Sequence, residues 1–382
     1  MSTSKQIISE SLSLTTMSPE TALKLFENCA VLIIAGVPPG TEFGIDLKSF
    51  YVGEDFRGVK MIPEGVHVIY CSSRGPYGDM APRVGFTHFF KRGEIVIREW
   101  DNNTEELRHR VHKGIIDETD NIKRNLRNLD RYLAPYDYDT LVKWSNLTAN
   151  ITEETVRRLS PDNGIVRNSI ELLSCADADR PRGANTSLEP TSTRLTKIRS
   201  WMDEEELLPK LKAIPGTIPK FTCLPPRCPK NAPPSEISKH YIDSIAAVEL
   251  LLQGCEKEIY EEIEFTFILF LCCHSIEALS HWRNILLLLS NSEKAAEKFS
   301  GFFRKYSTVL QHQLPELPLE LMEQNQNNTV YLDVRRLVLN CYQAGLTSAA
   351  RQLEKSINET LLWKFENLFE EDPDEMPTVV EL

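Results

Sequence analysis

The chain has 382 residues, 41% of them hydrophobic, which is enough for two domains that each bury a core. Its formal net charge of −12 argues against a protein that holds nucleic acid over a broad surface, because such binding neutralises phosphates with Lys and Arg. The longest apolar run, Phe265 to Cys273, is far shorter than the roughly 20 residues that cross a bilayer, so it predicts a buried helix.

The amino terminus and the cysteines indicate the compartment. The first 20 residues hold one Lys, two acids and no long apolar run, which fits neither a secretory signal nor a transit peptide. The nine cysteines are scattered and odd in number, as is typical of reduced thiols. We therefore expect a protein of the cytoplasm and the nucleus.

Helix and strand signals follow one another through the first 100 residues. Ser18 and Pro19 predict a helix start, with a hydroxyl at the N-cap and Pro at the first helical position. The run Ala30 to Ala35 is apolar and rich in β-branched residues, which predicts a strand buried on both faces. Three more strands are predicted, the last two joined as a hairpin by Lys91-Arg92-Gly93: Val66 to Cys71, Gly85 to Phe90 and Glu94 to Trp100.

After Asn103 the apolar spacing becomes helical. Thr152 is predicted to cap a helix that ends near Leu159, and Ser235 is predicted to cap another. A further helix is predicted to end at Pro135, with apolar residues at three- and four-residue steps: Ile122, Leu126, Leu129 and Leu133. The helix after Ser235 is predicted to present one apolar face: Ile237, Tyr241, Ile245, Val248 and Leu252.

Composition divides the chain into parts, because 11 of its 22 prolines lie between Pro161 and Pro234. A segment of this kind is predicted to be a linker or poorly packed. The fold class is predicted as α+β multidomain. The parts are a flexible amino terminus (1–17), a β-rich domain closed by helices (18–160), a Pro-rich linker (161–234), an all-helical domain (235–370) and an acidic, partner-binding tail (371–382).

Residues Val37 to Pro63 carry the most specific pattern, with seven glycines and prolines among short apolar pieces. Such punctuation predicts a turn-rich β segment with a specified path. It contains no paired catalytic groups, phosphate loop or metal ligands. Since acids lie between its aromatic side chains, these are predicted to pack the β unit and not to stack on bases: Phe43, Phe50, Tyr51 and Phe56.

The order GTEFGID followed by FRGVKMIPEGVH resembles the signature of the alpha-two-repressin-intron splicing factor family, whose members are assembly chaperones of the U-five small nuclear ribonucleoprotein. The resemblance recurs in LAPYDYDTLVKWSNLT and, more weakly, in EIEFTFILFLCCHSIEALSHWRNILLLL. The signature residues that we expect to shape the first domain are Pro39, Gly40, Thr41, Glu42, Phe43, Gly44, Asp46, Phe56, Arg57, Gly58, Lys60 and Pro63.

The resemblance implies a non-enzymatic splicing factor without a cofactor or metal. It would bind the C-terminal RNase H-like and JAB/MPN domains of the large spliceosomal U-five core protein. It would block premature helicase or RNA binding until its release in the nucleus. The resemblance also implies a helical second domain similar to the VHS adaptor fold. We expect no membrane binding, no stable direct binding to nucleic acid, and a monomer.

The carboxyl-terminal segment Glu366 to Leu382 carries seven acids and no Lys or Arg. Three interpretations exist: a solvated terminus, a ligand for a PDZ domain, or a strand that adds to a partner's sheet edge. The resemblance favours the third, because the family ends in a similar valine-rich stretch after acids. The residues expected to contact the partner are Thr378, Val379, Val380, Glu381 and Leu382.

Enzyme motifs are missing from the sequence. It contains no HExxH, G-x-S-x-G or Walker A pattern, and its histidines and cysteines lack zinc spacing. Cys272 and Cys273 precede His274, but an apolar stretch makes them small hydrophobes. An adaptor that binds peptides or membranes through a VHS-like domain is the alternative function. A hydrolase ranks last, because it would need a cluster of titratable groups.

Overall fold

The computed structural model describes residues 17–109, 115–173, 212–229, 232–324, 327–365 and 368–369. The predictions for residues 1–16 and for the tail, Thr378 to Leu382, lie outside this range. The predicted class is confirmed: a β-rich amino-terminal region precedes a helical carboxyl-terminal region.

The amino-terminal region alternates short strands with a few helices. Two 3₁₀ turns, Asp130–Tyr132 and Tyr138–Thr140, lie beside β9. In chain order its elements are α1 (Pro19–Asn28), β1 (Ala30–Ala35), β2 (Glu42–Ile45), β3 (Lys48–Tyr51), β4 (Gly58–Ile62), β5 (Gly65–Ser72), β6 (Val84–Phe90), β7 (Ile95–Asp101), β8 (Glu106–His109), α2 (Ile115–Leu129), β9 (Leu133–Pro135), α3 (Leu141–Leu147), α4 (Glu153–Leu159) and β10 (Val166–Arg167).

The strands form two five-stranded sheets. The order of the first sheet is β8-β7-β1-β4-β9, and that of the second is β10-β6-β5-β2-β3. β1 lies at the centre of the first sheet, parallel to β7 and antiparallel to β4. Four of its six side chains are buried, which confirms the predicted buried strand. The core between the sheets holds Leu32 and Ile34 from β1 and Phe43 from β2.

The predicted hairpin between β6 and β7 is wrong, because the two strands belong to different sheets. The backbone around the turn bonds elsewhere: Gly93 donates its N–H to the carbonyl of Asn28 at 3.1 Å, and Val31 donates to Glu94 at 2.9 Å. These bonds start the parallel pairing of β7 with β1. The turn therefore carries the chain from one sheet to the other.

The predicted helix through Leu133 ends earlier. α2 stops at Leu129, and Leu133 lies in β9, where it pairs with Gly58 of β4. Leu133 is buried in that strand, so it is apolar because it packs within a sheet and not on a helix face. The sequence predicted helices from Asn103 onward. In the structure they start later, because strand β8 lies between Asn103 and helix α2.

The helical region is built around one long, buried helix. Thirteen of the 18 residues of α7 are buried, which confirms the buried helix predicted for Phe265 to Cys273. Within the described ranges, no helix has both the length and the apolar character to cross a membrane. The helices are α5 (Pro234–Ile242), α6 (Ile245–Leu252), α7 (Glu256–Cys273), α8 (Ile276–Ser290), α9 (Glu293–Lys298), α10 (Ser300–Gln313), α11 (Leu319–Met322), α12 (Thr329–Gln343) and α13 (Thr347–Leu361).

The single helix predicted after Ser235 is two helices. The chain turns at Asp243, whose carboxylate accepts the N–H of Ile245 at 2.9 Å and that of Lys294 at 3.2 Å. The turn divides the predicted apolar face between the two helices: Val248 of α6 is buried, whereas Tyr241 of α5 is exposed. Ser235 is not the N-cap either, because α5 begins at Pro234. By contrast, the caps at Ser18 and Thr152 are confirmed.

The two regions share a core, because the second sheet is covered on both faces. One face packs on the first sheet, and the other presents Val66, Val68 and Tyr70 of β5 to the helical region. The approach is close: a Cβ atom added to Gly85 of β6 would lie 2.8 Å from Cys273 Sγ of α7. The β-rich and helical regions therefore meet along β5, β6 and α7.

The described ends of the Pro-rich segment also pack on the body. Asn163 donates its backbone N–H to Gly216 at 3.0 Å, and Lys220 donates to Leu159 at 3.0 Å. Leu172 forms an isolated bridge with Ala213. The described ends of the segment are therefore held against the body, while the linker prediction for residues 174–211 lies outside the described range.

Candidate functional site

The signature glycines shape the first region. At Gly58, φ is +135° and a Cβ atom would lie 1.9 Å from the carbonyl oxygen of Leu32, so only Gly fits this position. At Gly44 a Cβ atom would overlap the ring of Tyr70. The backbone of β4 and β2 thus lies directly against neighbouring groups, as the punctuation of the sequence predicts.

The signature aromatics form a packed cluster. The ring centroids of Phe43 and Phe56 are 5.0 Å apart, and Phe50 lies 5.6 Å from each. Phe43 is fully buried against the first sheet, while Tyr51 is exposed. The predicted packing role is confirmed for the three phenylalanines and wrong for Tyr51, whose ring points to solvent.

The remaining signature residues lie around these strands. Pro39 and Gly40 lie in the turn before β2, and the N–H of Gly40 donates to the carbonyl of Val52 at 2.8 Å. Arg57 precedes β4, donating its backbone N–H to Tyr132 at 2.9 Å. The others are placed as follows: Thr41 is buried before β2, Glu42 begins β2, Lys60 lies in β4 and pairs with Asp130 at 2.6 Å, and Pro63 links β4 to β5.

Asp46 is the polar centre of the signature. It is buried in the turn after β2 with a positive φ of 54°. One carboxylate oxygen lies 2.6 Å from His67 Nδ1 and accepts the Tyr136 hydroxyl at 2.7 Å. The other accepts the backbone N–H of Val68 at 2.9 Å. The Asp46 carbonyl accepts the thiol of Cys272 at 3.3 Å.

These contacts bring together the three segments that carry the family resemblance. Asp46 and His67 come from the first, Tyr136 from the second and Cys272 from the third. His67 Nε2 also lies 3.0 Å from the carbonyl of Pro63. Both ring nitrogens of His67 thus face oxygen atoms of the first family segment.

A second link joins the sheet to the helices at Arg83. Its guanidinium pairs with Glu42 at 2.7 Å, donates to the carbonyl of Cys272 at 3.1 Å and lies 4.5 Å from the ring centre of Tyr70. Glu42 belongs to the signature, so its carboxylate orients an arginine that reaches the end of α7. This contact has an electrostatic and a packing component.

Three buried glutamates on α7 bind segments that precede the helical region, two at the end of the first region and one in the described end of the Pro-rich segment. Glu261 accepts the hydroxyl of Thr155 at 2.6 Å, within the cap of α4. Glu262 accepts the N–H and hydroxyl of Thr222, both at 2.6 Å. Glu264 accepts the N–H of Asn150 at 2.7 Å and a second bond from its side-chain amide.

The environments of these carboxylates differ. Burial raises the pKa of Glu264 to about 7, although the bonds from Asn150 oppose that shift. Burial also acts against ionisation of Glu262, but its bonds from His281 and Thr222 outweigh burial and lower its pKa. The glutamates were missed at the sequence level, where EIEFTF indicates only an apolar helix. The signal that could have revealed them is the presence of three acids in an otherwise apolar helix. Buried charges need partners, so such acids indicate contacts with other segments.

Burial favours a packing role for the two cysteines at the end of α7. Cys272 and Cys273 are fully buried, and burial raises the pKa of each thiol, which suppresses the nucleophilic thiolate. His274 ends α7 in a left-handed conformation, with φ 56°. Across the described residues, no group of three or more His, Cys, Asp or Glu side chains could hold a metal ion.

Comparison with known proteins covers both regions. Residues 28–161 match the AAR2 N-terminal domain, and residues 221–366 match the AAR2 C-terminal repeat region. The chain is 32% identical over 377 residues to Protein AAR2 homolog of Homo sapiens, covering 96% of this chain and 97% of that protein. It is likewise 32% identical over 309 residues to Protein AAR2 homolog of Caenorhabditis elegans, covering 80% and 84%.

These matches include all three segments that meet at Asp46, and the names of the relatives state no enzymatic activity. The family resemblance of the signature is thereby confirmed. The chain belongs to the AAR2 family.

Proposed function

We propose that the chain is a non-enzymatic pre-mRNA splicing factor that acts as an assembly chaperone of the U-five small nuclear ribonucleoprotein. Membership of the AAR2 family, which fits a splicing-related factor, supports this function. The chain binds the RNase H-like and JAB/MPN domains at the carboxyl end of the large U-five core protein. It joins that protein in the cytoplasm, keeps the helicase and RNA away, and leaves in the nucleus.

The observation that carries the proposal is the convergence of the family segments on Asp46. Through Asp46, Arg83 and the α7 glutamates, the β-rich and helical regions become one body with a common core. A partner surface spread over both regions is then organised before binding. Pre-organisation lowers the entropic cost of association, which suits a protein that must cover two domains of one partner.

The tail supplies the discrete contact in this proposal. Residues Thr378 to Leu382 add as a strand to a sheet edge of the partner, with main-chain bonds giving affinity and alternate side chains giving register. The acids before them keep this strand unpaired until the partner arrives. In a pull-down, the intact chain is expected to capture the core protein more strongly than a chain that ends at Glu375. Equal capture would remove the tail from the mechanism.

Two substitutions refine this experiment, because neighbouring side chains of a strand point to opposite faces. We compare Val379→Asp with Val380→Asp, which add the same charge on opposite faces. An added strand has one face against the partner, so one variant is expected to lose capture and the other to retain most of it. If both variants capture as the intact chain does, the strand model fails.

Liposome co-sedimentation separates this function from the alternative, an adaptor with a VHS-like helical domain that binds membranes or peptides. The chaperone function predicts that the chain stays in the supernatant with both neutral and anionic vesicles. Sedimentation with vesicles, together with failure to capture the core protein, would favour the adaptor.

A further inference from the structure

A groove of about 450 Å³ lies between α8 and α12 in the helical region. The residues that line it recur at steps of three and four positions on each helix, so one face of each helix forms a wall. They are Ser280, Arg283, Asn284 and Leu287 on α8, and Thr329, Leu332, Asp333 and Arg336 on α12. We call this site the α8–α12 groove. Among the described residues, none of them shares a hydrogen bond with Asp46, Arg83 or the α7 glutamates.

Two arginines and one aspartate line the α8–α12 groove, so it holds net positive charge in a chain whose formal net charge is −12. Asp333 is only 8% exposed, accepts from the hydroxyl of Ser290 at 3.3 Å and lies 3.8 Å from Arg336. Burial raises its pKa, although the nearby charges of Arg336, Arg283 and Arg227 oppose that shift. A single carboxylate thus compensates only part of the charge of three arginines.

Two of the three arginines bond to neutral groups in the described part of the chain. Arg283 donates from Nη2 to the hydroxyl of Thr329. Arg227 donates to the hydroxyl of Ser244 at 2.9 Å and to the carbonyl of Tyr241 at 3.3 Å. Neither arginine forms an ion pair with a described carboxylate. Since a guanidinium has five N–H donors, Arg283 keeps donors and charge for an anionic group inside the groove.

The last described residues of the chain pack on α12, which forms one wall of the groove. The ring of Phe365 lies 5.7 Å from that of Tyr331, near the start of this helix. The ring of Phe369 lies 5.5 Å from that of Tyr342, near its end. At a rise of about 1.5 Å per residue, Tyr342 is about 9 Å along the helix axis from Arg336. The chain therefore passes beyond Phe369 close to the groove.

The charge that follows Phe369 is negative. Glu370 to Glu375 reads EEDPDE, with five carboxylates in six positions, and no Lys or Arg follows before Leu382. We call these six residues the acidic run. Fully extended, six residues span about 20 Å. This length exceeds the rise to the groove combined with the roughly 10 Å width of a helix, so the acidic run can reach the groove from Phe369.

We propose that the acidic run docks in the α8–α12 groove of its own chain, with its carboxylates bonded to Arg283 and Arg336. Guanidinium and carboxylate groups form charge-assisted hydrogen bonds, often in pairs. Attachment to the same chain gives the run a high effective concentration, so contacts that are individually weak hold it in place. Charge, length and position all favour this occupant over a separate protein.

Docking regulates the tail of the proposed function, and this step alone rests on that function. While the acidic run lies in the groove, residues Thr378 to Leu382 stay close to the helical region. The core protein must then displace the run when the strand adds to its sheet edge. A partner that offers no matching edge leaves the run docked. Docking itself does not depend on the identity of the partner.

Carbodiimide cross-linking of the full chain tests the contact directly, because the reagent joins a carboxylate to a neighbouring amine. Arg283→Lys keeps the positive charge and adds the amine. Mass spectrometry of the monomer is expected to find an amide between position 283 and the acidic run, with a lower yield at high salt. Arg304→Lys, an exposed change on α10, is the matched control and should give no such link.

Limited proteolysis gives a second measurement that needs no added amine. A glutamate-specific protease cleaves the run when it is undocked, so the rate follows the undocked population. Cleavage in Arg283→Gln is expected to be roughly tenfold faster than in the parent, as for one lost hydrogen bond between charged groups. Arg304→Gln should be cleaved as the parent is. An unchanged Tm shows that each variant folds.

Absence of a link at position 283, or an equal yield from Arg304→Lys, would overturn the proposal. So would equal cleavage rates in the parent and Arg283→Gln. A link found only in covalent dimers would overturn docking within one chain and indicate a second copy as the occupant. None of these measurements involves the U-five core protein, so failure of docking and failure of the proposed function are distinguishable.

Discussion

The β-rich and helical regions reach their shapes by different means. In the β-rich region close approach of the backbone restricts which residues fit: Gly58 and Gly44 lie where no larger residue can be placed. In the helical region side-chain contacts impose the restriction, because α7 is buried on most of its surface and its acids bond to other elements. Substitutions at these glycines should therefore destabilise the β-rich region. Loss of polar partners should destabilise the junction, by which we mean the contacts of Asp46, Arg83 and the α7 glutamates between the two regions.

The largest effect is expected for Gly58→Ala. The new Cβ atom would lie 1.9 Å from the Leu32 carbonyl, at a φ that side chains disfavour. A loss of about 4 kcal/mol or more in the free energy of unfolding is expected, measured by urea denaturation. Gly301→Ala, in open space on α10, is the control and should change stability by less than about 1 kcal/mol. Similar losses for both variants would contradict the backbone argument.

Asp46→Asn tests the junction. The change keeps the size of the side chain but replaces one of two acceptor oxygens, which together serve His67, Tyr136 and the N–H of Val68, with an amide group that can only donate. A buried polar group left without its hydrogen-bond partner costs about 1–3 kcal/mol. The free energy of unfolding should therefore fall by at least that amount, in one cooperative transition that both regions share. Asp130→Asn breaks the Lys60 pair, in which Asp130 is 48% exposed, and should cost less than about 1 kcal/mol. Two separate transitions in the parent chain would argue against a shared core.

Glu264 makes the junction sensitive to pH. Its pKa is about 7 in the folded chain and about 4.3 unfolded, so the folded state holds the proton more tightly. The stabilisation this provides is present below the unfolded value and is lost as pH rises to about 7. Relative to Glu264→Gln, the parent should lose up to about 3 kcal/mol between pH 4 and pH 8.

Chemical denaturation across that pH range measures the difference. Glu258→Gln, an exposed position on the same helix, is the control and should follow the parent. A parent and Glu264→Gln variant whose stabilities run parallel over this range would show that Glu264 titrates alike in both states.

The smallest effect concerns helix caps. Thr152→Ala removes the hydroxyl that accepts the N–H of Thr155 at the start of α4, and a loss of about 1 kcal/mol is expected. Ser235→Ala should have almost no effect, because α5 begins before it. Thermal unfolding of the two variants measures both values. A larger loss at Ser235 than at Thr152 would contradict the helix starts in the structure.

Local features of the sequence predicted much of the fold. The strand from Ala30 to Ala35, the caps at Ser18 and Thr152 and the buried run in α7 were readable because each depends on its own residues. The β6–β7 hairpin was wrong for the opposite reason. Strand propensity does not choose a partner, and β7 pairs with β1 some 60 positions earlier in the chain.

The candidate site shows the same division. The signature predicted turns and packed aromatics, and the resemblance predicted the family. It did not show that Asp46, Tyr136 and Cys272 meet, because these residues are separated by most of the chain.

The sequence alone determined the family, the α+β class and the local turns, because glycine, proline and capping residues act through their own backbone angles. The tertiary structure decided which strands pair, how the two regions share a core, and which buried charges meet. Those outcomes depend on packing between distant segments, because a buried carboxylate such as that of Asp46 or Glu264 needs hydrogen-bond partners that other parts of the chain supply.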